Sequence, residues 1–326
     1  MAKLYYEKDA DLKPLKGKKV AVVGYGIQGR AQALNLHDSG VDVVVGARRK
    51  GESWEAATKD GLEVAPVAEA VRAASVVMML IPDEVQPEVY AKDIAPNLKT
   101  GAALEFAHGF NIRFGTIVPR KDVDVIMVAP KAPGRAVREN YLRGSGVPAL
   151  LAVHQDATGA AKPLGLALAK GIGSTKVGVI ETTFTEECET DLFGEQADLC
   201  GGVSELIKTS FGVLVDAGYQ PELAYFEVLH ELKMIVDLIQ AGGIENMWAN
   251  VSNTAEYGGR TRGPKVVDDR TRKNMEALLK DIKSGAFAKD WIEEHKKGMP
   301  VLEKARKTAP DSLLERVGRD VRKMFT

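Results

Sequence analysis

The sequence predicts an α/β fold: a doubly wound parallel sheet in the N-terminal half, followed by an all-helical domain. Three observations carry this. Short β-branched runs alternate with amphipathic stretches through the first half of the 326 residues, the pattern of a parallel sheet covered by helices. A glycine-rich turn follows one of the earliest of these runs. After about Glu181 no convincing strand appears, and long helical stretches take over.

Taken in order, the strand candidates are residues 19–23, 41–45, 76–81, 103–107, 123–128, 148–153 and 176–180. They are short and nearly all apolar, as strands buried on both faces must be. Helical stretches at 27–39 and 158–170 lie between them. In the second half the helical stretches are 190–217, 221–241, 244–255 and 265–284. Pro221 suits a helix start, and Gly218 suits the end of the helix before it. The expected organisation is therefore residues 1–182 as a nucleotide-binding domain and 183–326 as a helical one, in keeping with a prior of roughly 150 residues per domain.

Lys and Arg number 44 and Asp and Glu 45, so the formal net charge is −1. Such a chain has no global field to draw nucleic acid or an anionic membrane, and neither is expected as a partner. Two cysteines, Cys188 and Cys200, exclude a disulfide scaffold and suit a reducing compartment. The N-terminal segment carries Glu7, Asp9 and Asp11 without an apolar core, so no signal peptide is expected. The apolar runs are far shorter than a bilayer span. A cytoplasmic protein is expected.

Lys19-Val20-Ala21-Val22-Val23 runs directly into Gly24-Tyr25-Gly26-Ile27-Gln28-Gly29. This is GxGxxG between a strand and an amphipathic helix, the Rossmann-type dinucleotide signature. Gly24 permits the tight turn, Gly26 lets a pyrophosphate approach the backbone, and Gly29 lets the helix close on the strand. The helix N-terminus offers free N–H groups to the phosphates. After the next strand come Arg48, Arg49, Lys50, Gly51, Glu52 and Ser53. An NAD-specific site usually places an acid there. Guanidinium groups at Arg48 and Arg49, with the Ser53 hydroxyl, suit a 2′-phosphate, so NADPH is favoured. Glu52 could accept from an unphosphorylated ribose, which leaves NADH use open.

In the second half Asp191 and Glu195 lie four apart, as do Glu227 and Glu231. On a helix each pair shares one face. The stripe through Glu227 and Glu231 continues to Met234 and Leu238, so the acids are expected on an apolar stripe. Unpaired acids there are costly and call for compensation. Two Mg²⁺ ions would supply it, since the ligands are oxygens with few His or Cys. The plainer alternative is a solvated acidic face. His108 and Lys131 each follow the carboxyl end of a strand candidate, where α/β sheets place ligand sites. Asp198, His37, His154, His230, His295 and both cysteines read as structural or solvated.

These residues fall within co-linear motifs: Gly24 to Gly29, Pro82-Asp83-Glu84, Glu105-Phe106-Ala107-His108-Gly109-Phe110, Ala129-Pro130-Lys131, Asp191-Leu192-Phe193-Gly194-Glu195-Gln196, His230-Glu231-Leu232-Lys233, and Ser252-Asn253-Thr254-Ala255-Glu256-Tyr257-Gly258. Together they resemble the short, class I form of the ketol-acid reductoisomerase family over nearly the whole chain. The resemblance implies an NADPH-dependent oxidoreductase with two Mg²⁺ ions at an interdomain cleft. It converts a 2-acetohydroxy acid, such as 2-acetolactate, to the dihydroxy acid in branched-chain amino-acid synthesis. It also implies a knotted helical domain and a homodimer or higher homo-oligomer, with some ligands arriving from the partner. Residue by residue, it makes Asp191 the bridge between metals, with Glu195 on one and Glu227 and Glu231 at the other. Ser252 touches the substrate carboxylate, His108 and Lys131 face the chemistry, and Asp83 and Gly134 belong to the cofactor site.

The sequence departs from the family pattern at Ala132 and Arg135, where Gly and His are common, and at Trp248-Ala249-Asn250, where Arg-Tyr-Ser is common. The second departure bears on packing around Ser252. On the residues alone, a metal-free two-domain dehydrogenase and a non-catalytic nucleotide-sensing module stay open. The aligned carboxylates argue against both.

Overall fold

The computed structural model describes residues 2–325, and the chain falls into two units, Met1–Thr190 and Asp191–Thr326. In the first unit the β-branched runs form β1 (Leu4–Tyr5), β2 (Lys19–Val23), β3 (Asp42–Gly46), β4 (Glu63–Ala65), β5 (Val76–Met79), β6 (Ala103–Phe106), β7 (Asp124–Pro130), β8 (Ala149–Gln155) and β9 (Val179–Glu181). They join one sheet in the order β1-β9-β8-β7-β6-β5-β2-β3-β4. From β4 through β3, β2, β5 and β6 to β7 every pairing is parallel. The strand order reverses between β2 and β5, the switch point at which open α/β sheets leave a crevice.

The helices of this unit are α1 (Ile27–Asp38), α2 (Glu52–Lys59), α3 (Val67–Ala73), α4 (Gln86–Val89), α5 (Phe110–Arg113), α6 (Gly134–Leu142) and α7 (Ala161–Gly171), and α8 (Phe184–Gly194) begins in it. Alternation along each strand sorts the core into two layers. Val20, Val22, Val43, Val45 and Met78 pack with Ala33 and Leu36 of α1 and Leu164 and Leu168 of α7. Ala21, Val23, Val44, Val77 and Met79 pack on the opposite face with Ala70 and Val71 of α3. Both faces are thus covered, which explains the uniformly apolar strands.

The doubly wound parallel sheet is present, with antiparallel pairings added at one side. Strand β8 runs antiparallel to β7, and β1 antiparallel to β9. The connection after β7 starts and ends at one edge: the Lys131 N–H donates to the Pro148 carbonyl at 2.8 Å. Helix α6 between them packs on α1 and does not carry the chain back along the sheet. The following strand has no choice but to run the other way. Strands β1 and β4 were not expected; they are two and three residues long, with no buried apolar run to betray them.

One charged side chain lies inside this core. Glu105 on β6 is fully buried, its Oε1 accepts the Val128 N–H at 3.2 Å, and its Oε2 has no partner. Burial pushes its carboxyl up to about 8, against which the Val128 N–H acts only partly.

The second unit is helical among the described residues: α9 (Gly201–Asp216), α10 (Pro221–Tyr225), α11 (Leu232–Ala249), α12 (Asn253–Val266), α13 (Asp269–Ser284), α14 (Ala286–Lys296), α15 (Pro300–Thr308) and α16 (Leu313–Arg322). The stretches expected to be continuous are interrupted. Single π turns at Glu195–Leu199 and Phe226–His230 join α8 to α9 and α10 to α11. Within α11 the backbone breaks at Gly242 and Gly243, the latter with φ of +85°. Phe211, Ala224, Tyr225, Val317 and Val321 form a buried cluster. Large apolar side chains are nonetheless left in the open, among them Leu199, Val213, Leu223, Met234 and Tyr257. No helix is long and apolar enough to cross a membrane among the described residues.

Glu105 yields a pH signature. Its folded-state pKa lies above the ordinary carboxyl value, so the fold holds a proton that the unfolded chain releases earlier. The resulting stability is fully present below pH ~4.5 and is lost as pH rises through about 8. Glu105→Gln, a mimic of the neutral acid, should match the parent at pH 5 and melt several degrees higher at pH 9. Parallel melting-temperature profiles for the two proteins across this range would contradict the assignment.

Candidate active site

Parallel pairing of β2, β5, β6 and β7 brings their carboxyl ends to one edge. Gly24 follows β2, Asp83 lies in the loop after β5, His108 lies just beyond β6, and Lys131 follows β7 directly. Residues scattered over the first unit of the sequence are thereby collected along one rim.

The glycine turn is built as its motif requires. Gly24 has a φ of +99°, and a Cβ there would lie 2.6 Å from Ile81 Cγ2. A Cβ on Gly29 would lie 2.3 Å from the Gly24 carbonyl oxygen, so α1 can close on β2 only with glycine. Gly26 is the opposite case: a Cβ would meet nothing within 4 Å, leaving an open face at the N-terminus of α1. That helix start has no side-chain cap, so its first amides are available to an anion. Gly134 at the start of α6 passes so near α1 that a Cβ would lie 1.9 Å from the Ile27 carbonyl oxygen. Gln28 Nε2 donates to the Ala132 carbonyl at 2.9 Å, tying the turn to the loop after β7. Ile27 is 77% exposed.

Tyr25 behaves differently from its neighbours. Its ring is buried and its hydroxyl donates to Asp60 at 2.8 Å, a carboxylate that also takes two bonds from Arg30 at 2.7 and 3.0 Å. Burial, reinforced by Asp60, holds the phenol far above its ordinary value. Tyr25 therefore anchors the turn through its side chain. Asp83 is fixed through its carbonyl, which accepts from Asn111 Nδ2 at 3.0 Å.

In the loop after β3, Arg48 and Arg49 are exposed, and Lys50 adopts a φ of +57° in the tight turn leading to α2. Glu52 and Ser53 form the first turn of α2, which has Gly51 at its N-cap. The Arg49 guanidinium lies 5.8 Å from the Trp54 ring and 3.5 Å from Glu69. An uncapped helix start, an open glycine face and two guanidinium groups suit a phosphorylated dinucleotide.

The most constrained group on the rim is one the sequence reading missed. Glu187, in α8, has a side chain only 1% exposed. Its carboxylate accepts from the Gly109 N–H at 2.8 Å, from His108 Nδ1 at 3.1 Å and from Lys131 Nζ at 2.8 Å. Burial alone would push this acid up, but the protonated imidazole and the ammonium group hold it below the ordinary carboxyl range. Burial likewise opposes charge on His108, and the Cys188 and Glu187 partners overcome it, pushing the imidazole up to about 11. The result is an ionised acid joining two cations beside the nucleotide turn. Cys188 is buried under His108, and burial pushes its thiol up, which makes it a packing residue. No spacing rule links residue 187 to 108 or 131; the i,i−4 step from Asp191 was the available signal.

In the second unit each acidic pair stands at a π turn. Asp191 lies in the last part of α8 and Glu195 opens the first π turn, whose i→i+5 bond runs from the Cys200 N–H to the Glu195 carbonyl at 3.1 Å. Glu227 lies inside the second, and Glu231 follows it, with its N–H on the Phe226 carbonyl at 3.1 Å. Local π geometry frequently marks functional positions, because it re-aims side chains within a helix. Asp191 is half-buried, whereas Glu195, Glu227 and Glu231 are exposed. The apolar stripe expected to bury Glu227 and Glu231 is present in order but open in this chain, with Leu223 50% and Met234 53% exposed. Among the described residues the four acids do not converge as one ligand cluster. Their donor chemistry, all carboxylate oxygens, suits a hard cation such as Mg²⁺. His230 stacks edge-on against Phe226 at 5.3 Å. Ser252 caps α12, its Oγ accepting the Ala255 N–H at 3.1 Å.

The chain matches two family models: acetohydroxy acid isomeroreductase, NADPH-binding domain, over residues 14–178, and ketol-acid reductoisomerase, C-terminal domain, over residues 184–326. It is 58% identical to the ketol-acid reductoisomerase (NADP(+)) of Pyrobaculum aerophilum, covering 100% of this chain and 99% of that one. The enzyme of the same name from Petrotoga mobilis is also 58% identical, with 100% and 98% covered. Among solved structures, an NADH-preferring ketol-acid reductoisomerase from an uncultured archaeon superposes with a TM-score of 0.97 at 48% identity, covering 99% of each chain. A semialdehyde dehydrogenase NAD-binding protein from Cupriavidus necator shares the fold, with a TM-score of 0.63 at 20% identity over 82% of this chain and 99% of that one.

The Glu187 junction is testable without knowing the substrate's pose. Glu187→Gln removes the negative charge between two cations while keeping the shape of the side chain. It should lower kcat by on the order of 10²-fold, the usual scale for disabling a proton-handling group, with little change in cofactor KM. A variant within a factor of about three of the parent in kcat would contradict this role.

Proposed function

The chain belongs to the ketol-acid reductoisomerase family, and on that premise we propose how its residues divide the family's reaction: alkyl migration in a 2-acetohydroxy acid, then reduction to the 2,3-dihydroxy acid in branched-chain amino-acid synthesis. The observation that carries the assignment is the construction of α8. Glu187 holds Lys131 and His108, and Asp191, the first metal ligand in this reading, stands one turn further along the same helix. One rigid element thus presents both proton chemistry and metal chemistry.

When bound, two Mg²⁺ ions polarise the neighbouring hydroxyl and carbonyl oxygens of the substrate, and NADPH supplies the hydride. Asp191, Glu195, Glu227 and Glu231 hold the metals. Lys131 keeps an ammonium proton at Nζ, ready to be shared with a substrate oxygen, and ionised Glu187 orients that Nζ. His108 adds a second positive charge on the same carboxylate, which favours negative charge developing on the substrate side. Ser252 Oγ accepts from Ala255 and so has its own proton to donate to the substrate carboxylate. On the cofactor side, Gly24, Gly26, Gly29 and the backbone of Tyr25, Ile27 and Gln28 cradle the pyrophosphate. Asp83 and Gly134 border the same rim. Arg48, Arg49 and Ser53 receive the 2′-phosphate.

The relative at 48% identity prefers NADH, so this loop decides the cofactor question here. The experiment is an initial-rate comparison of NADPH and NADH with 2-acetolactate at saturating Mg²⁺, repeated with chelator. NADPH should be preferred and chelation should abolish turnover. Arg49→Ala should weaken NADPH about 10- to 100-fold, the scale of one charge-assisted contact, and leave NADH nearly unchanged. Equal loss with both cofactors would remove Arg49 from the phosphate site.

We further propose that Glu227 and Glu231 serve the site of a second copy of the chain. They are exposed on an open apolar stripe, and among the described residues they form no single ligand cluster with Asp191 and Glu195. Asp191→Asn and Glu227→Gln should each be inactive alone. Co-expressed, they should recover about a quarter of the parent activity, because half of randomly paired dimers carry one intact site. Absence of recovery in purified mixed dimers would place all four ligands in one chain.

A further inference from the structure

The turn that carries Ser252 is clasped by contacts that the reaction itself does not use. Trp248, near the end of α11, lies against Gly259 of α12: a Cβ on Gly259 would be 2.3 Å from Trp248 Cη2 and 2.8 Å from Cζ3. The Arg260 guanidinium sits 5.2 Å from the centre of the indole ring. Arg260 is itself held by Glu245 of α11 at 2.6 and 3.3 Å and by Glu256 of α12 at 2.9 Å. The ion pairs are exposed and worth little alone. The indole provides the area, and its approach to Gly259 fixes the geometry.

The position of this clasp gives it consequence. Upstream, α11 is broken at Gly242 and Gly243, which take φ/ψ of −157°/15° and 85°/177°. The helical register before the break therefore does not determine where the segment after it points. Asn246 Nδ2 reaches across to the Leu238 carbonyl at 2.9 Å, a single neutral bond. Downstream, Ser252 caps α12 at the corner. Residues 249–252 thus lie between the backbone break and a helix start, and the Trp248–Gly259–Arg260 stack closes the loop between them.

We propose that Trp248 is a positioning residue for substrate: its stack on Gly259 and Arg260 sets the Ser252 hydroxyl and the start of α12 for the carboxylate of the 2-acetohydroxy acid. The inference rests on the reading of Ser252 given above. It assigns Trp248 to ground-state binding of substrate and gives it no part in hydride transfer or cofactor binding.

The test uses the full-length enzyme with NADPH, Mg²⁺ and 2-acetolactate. Trp248→Ala should raise the KM for 2-acetolactate about tenfold, with kcat and the KM for NADPH within about twofold of the parent. Trp248→Phe keeps an aromatic face and should restore most of the affinity. Gly259→Ala drives a methyl into the indole and should also raise the substrate KM; combined with Trp248→Ala it should add nothing, because the contact is already gone. An unchanged substrate KM in Trp248→Ala, or a joint fall in kcat and loss of NADPH affinity, would overturn the proposal in favour of a purely structural tryptophan. Ser252→Ala separates the two layers. If it raises the substrate KM while Trp248→Ala does not, the clasp alone is wrong; if it has no effect, the assignment of Ser252 falls and this proposal with it.

Discussion

A carboxylate taken out of water must find compensation, and at Glu187 it finds three donors: a backbone N–H, an imidazole and an ammonium group. Those donors come from the segments following β6 and β7, whereas the acid comes from α8. The desolvation penalty of one buried charge therefore locks three elements together, since losing any partner leaves the others badly solvated. The contrast with Glu105 is instructive. It is as deeply buried and has a single amide partner, so it resolves the same conflict by keeping its proton. One buried acid organises the rim because it stays charged; the other sits in the sheet because it does not.

The nucleotide turn obeys a different constraint, that of excluded volume. Gly29 and Gly134 let backbone approach backbone where a methyl group could not fit, and Gly26 keeps open the space a phosphate needs. Beneath the turn, Tyr25, Asp60 and Arg30 form a bonded base. The loop after β3 is secured more lightly. Its arginines are exposed and contact Trp54 and Glu69 at longer range, an arrangement that leaves the guanidinium groups available to an incoming phosphate.

In the helical unit the spacing of acids and apolar residues was legible, but its meaning was not. Asp191 with Glu195 and Glu227 with Glu231 are visible as i,i+4 pairs on amphipathic stretches. The π turns are not visible, because an i→i+5 bond is selected by packing and not by any residue type. Nor does periodicity say what covers an apolar stripe: Leu223 and Met234 follow the expected pattern and remain exposed in this chain. The break at Gly242 and Gly243 was legible, because the helical stretches at 221–241 and 244–255 leave the paired glycines between them.

The sequence by itself determined the strand–turn–helix with its glycines, the covered sheet, the change to helices after about Glu181 and the identity of the acidic pairs. Each rests on local rules: alternation, helical periodicity, and the steric freedom of glycine. Tertiary structure alone decided that β8 runs back along β7, that the ring of Tyr25 points into the core, that Glu187 rather than a nearer acid joins His108 to Lys131, and that Trp248 closes on Gly259. These depend on contacts between residues tens of positions apart or on the path of the connecting backbone, and no local pattern encodes which distant groups will share a buried charge or an excluded volume.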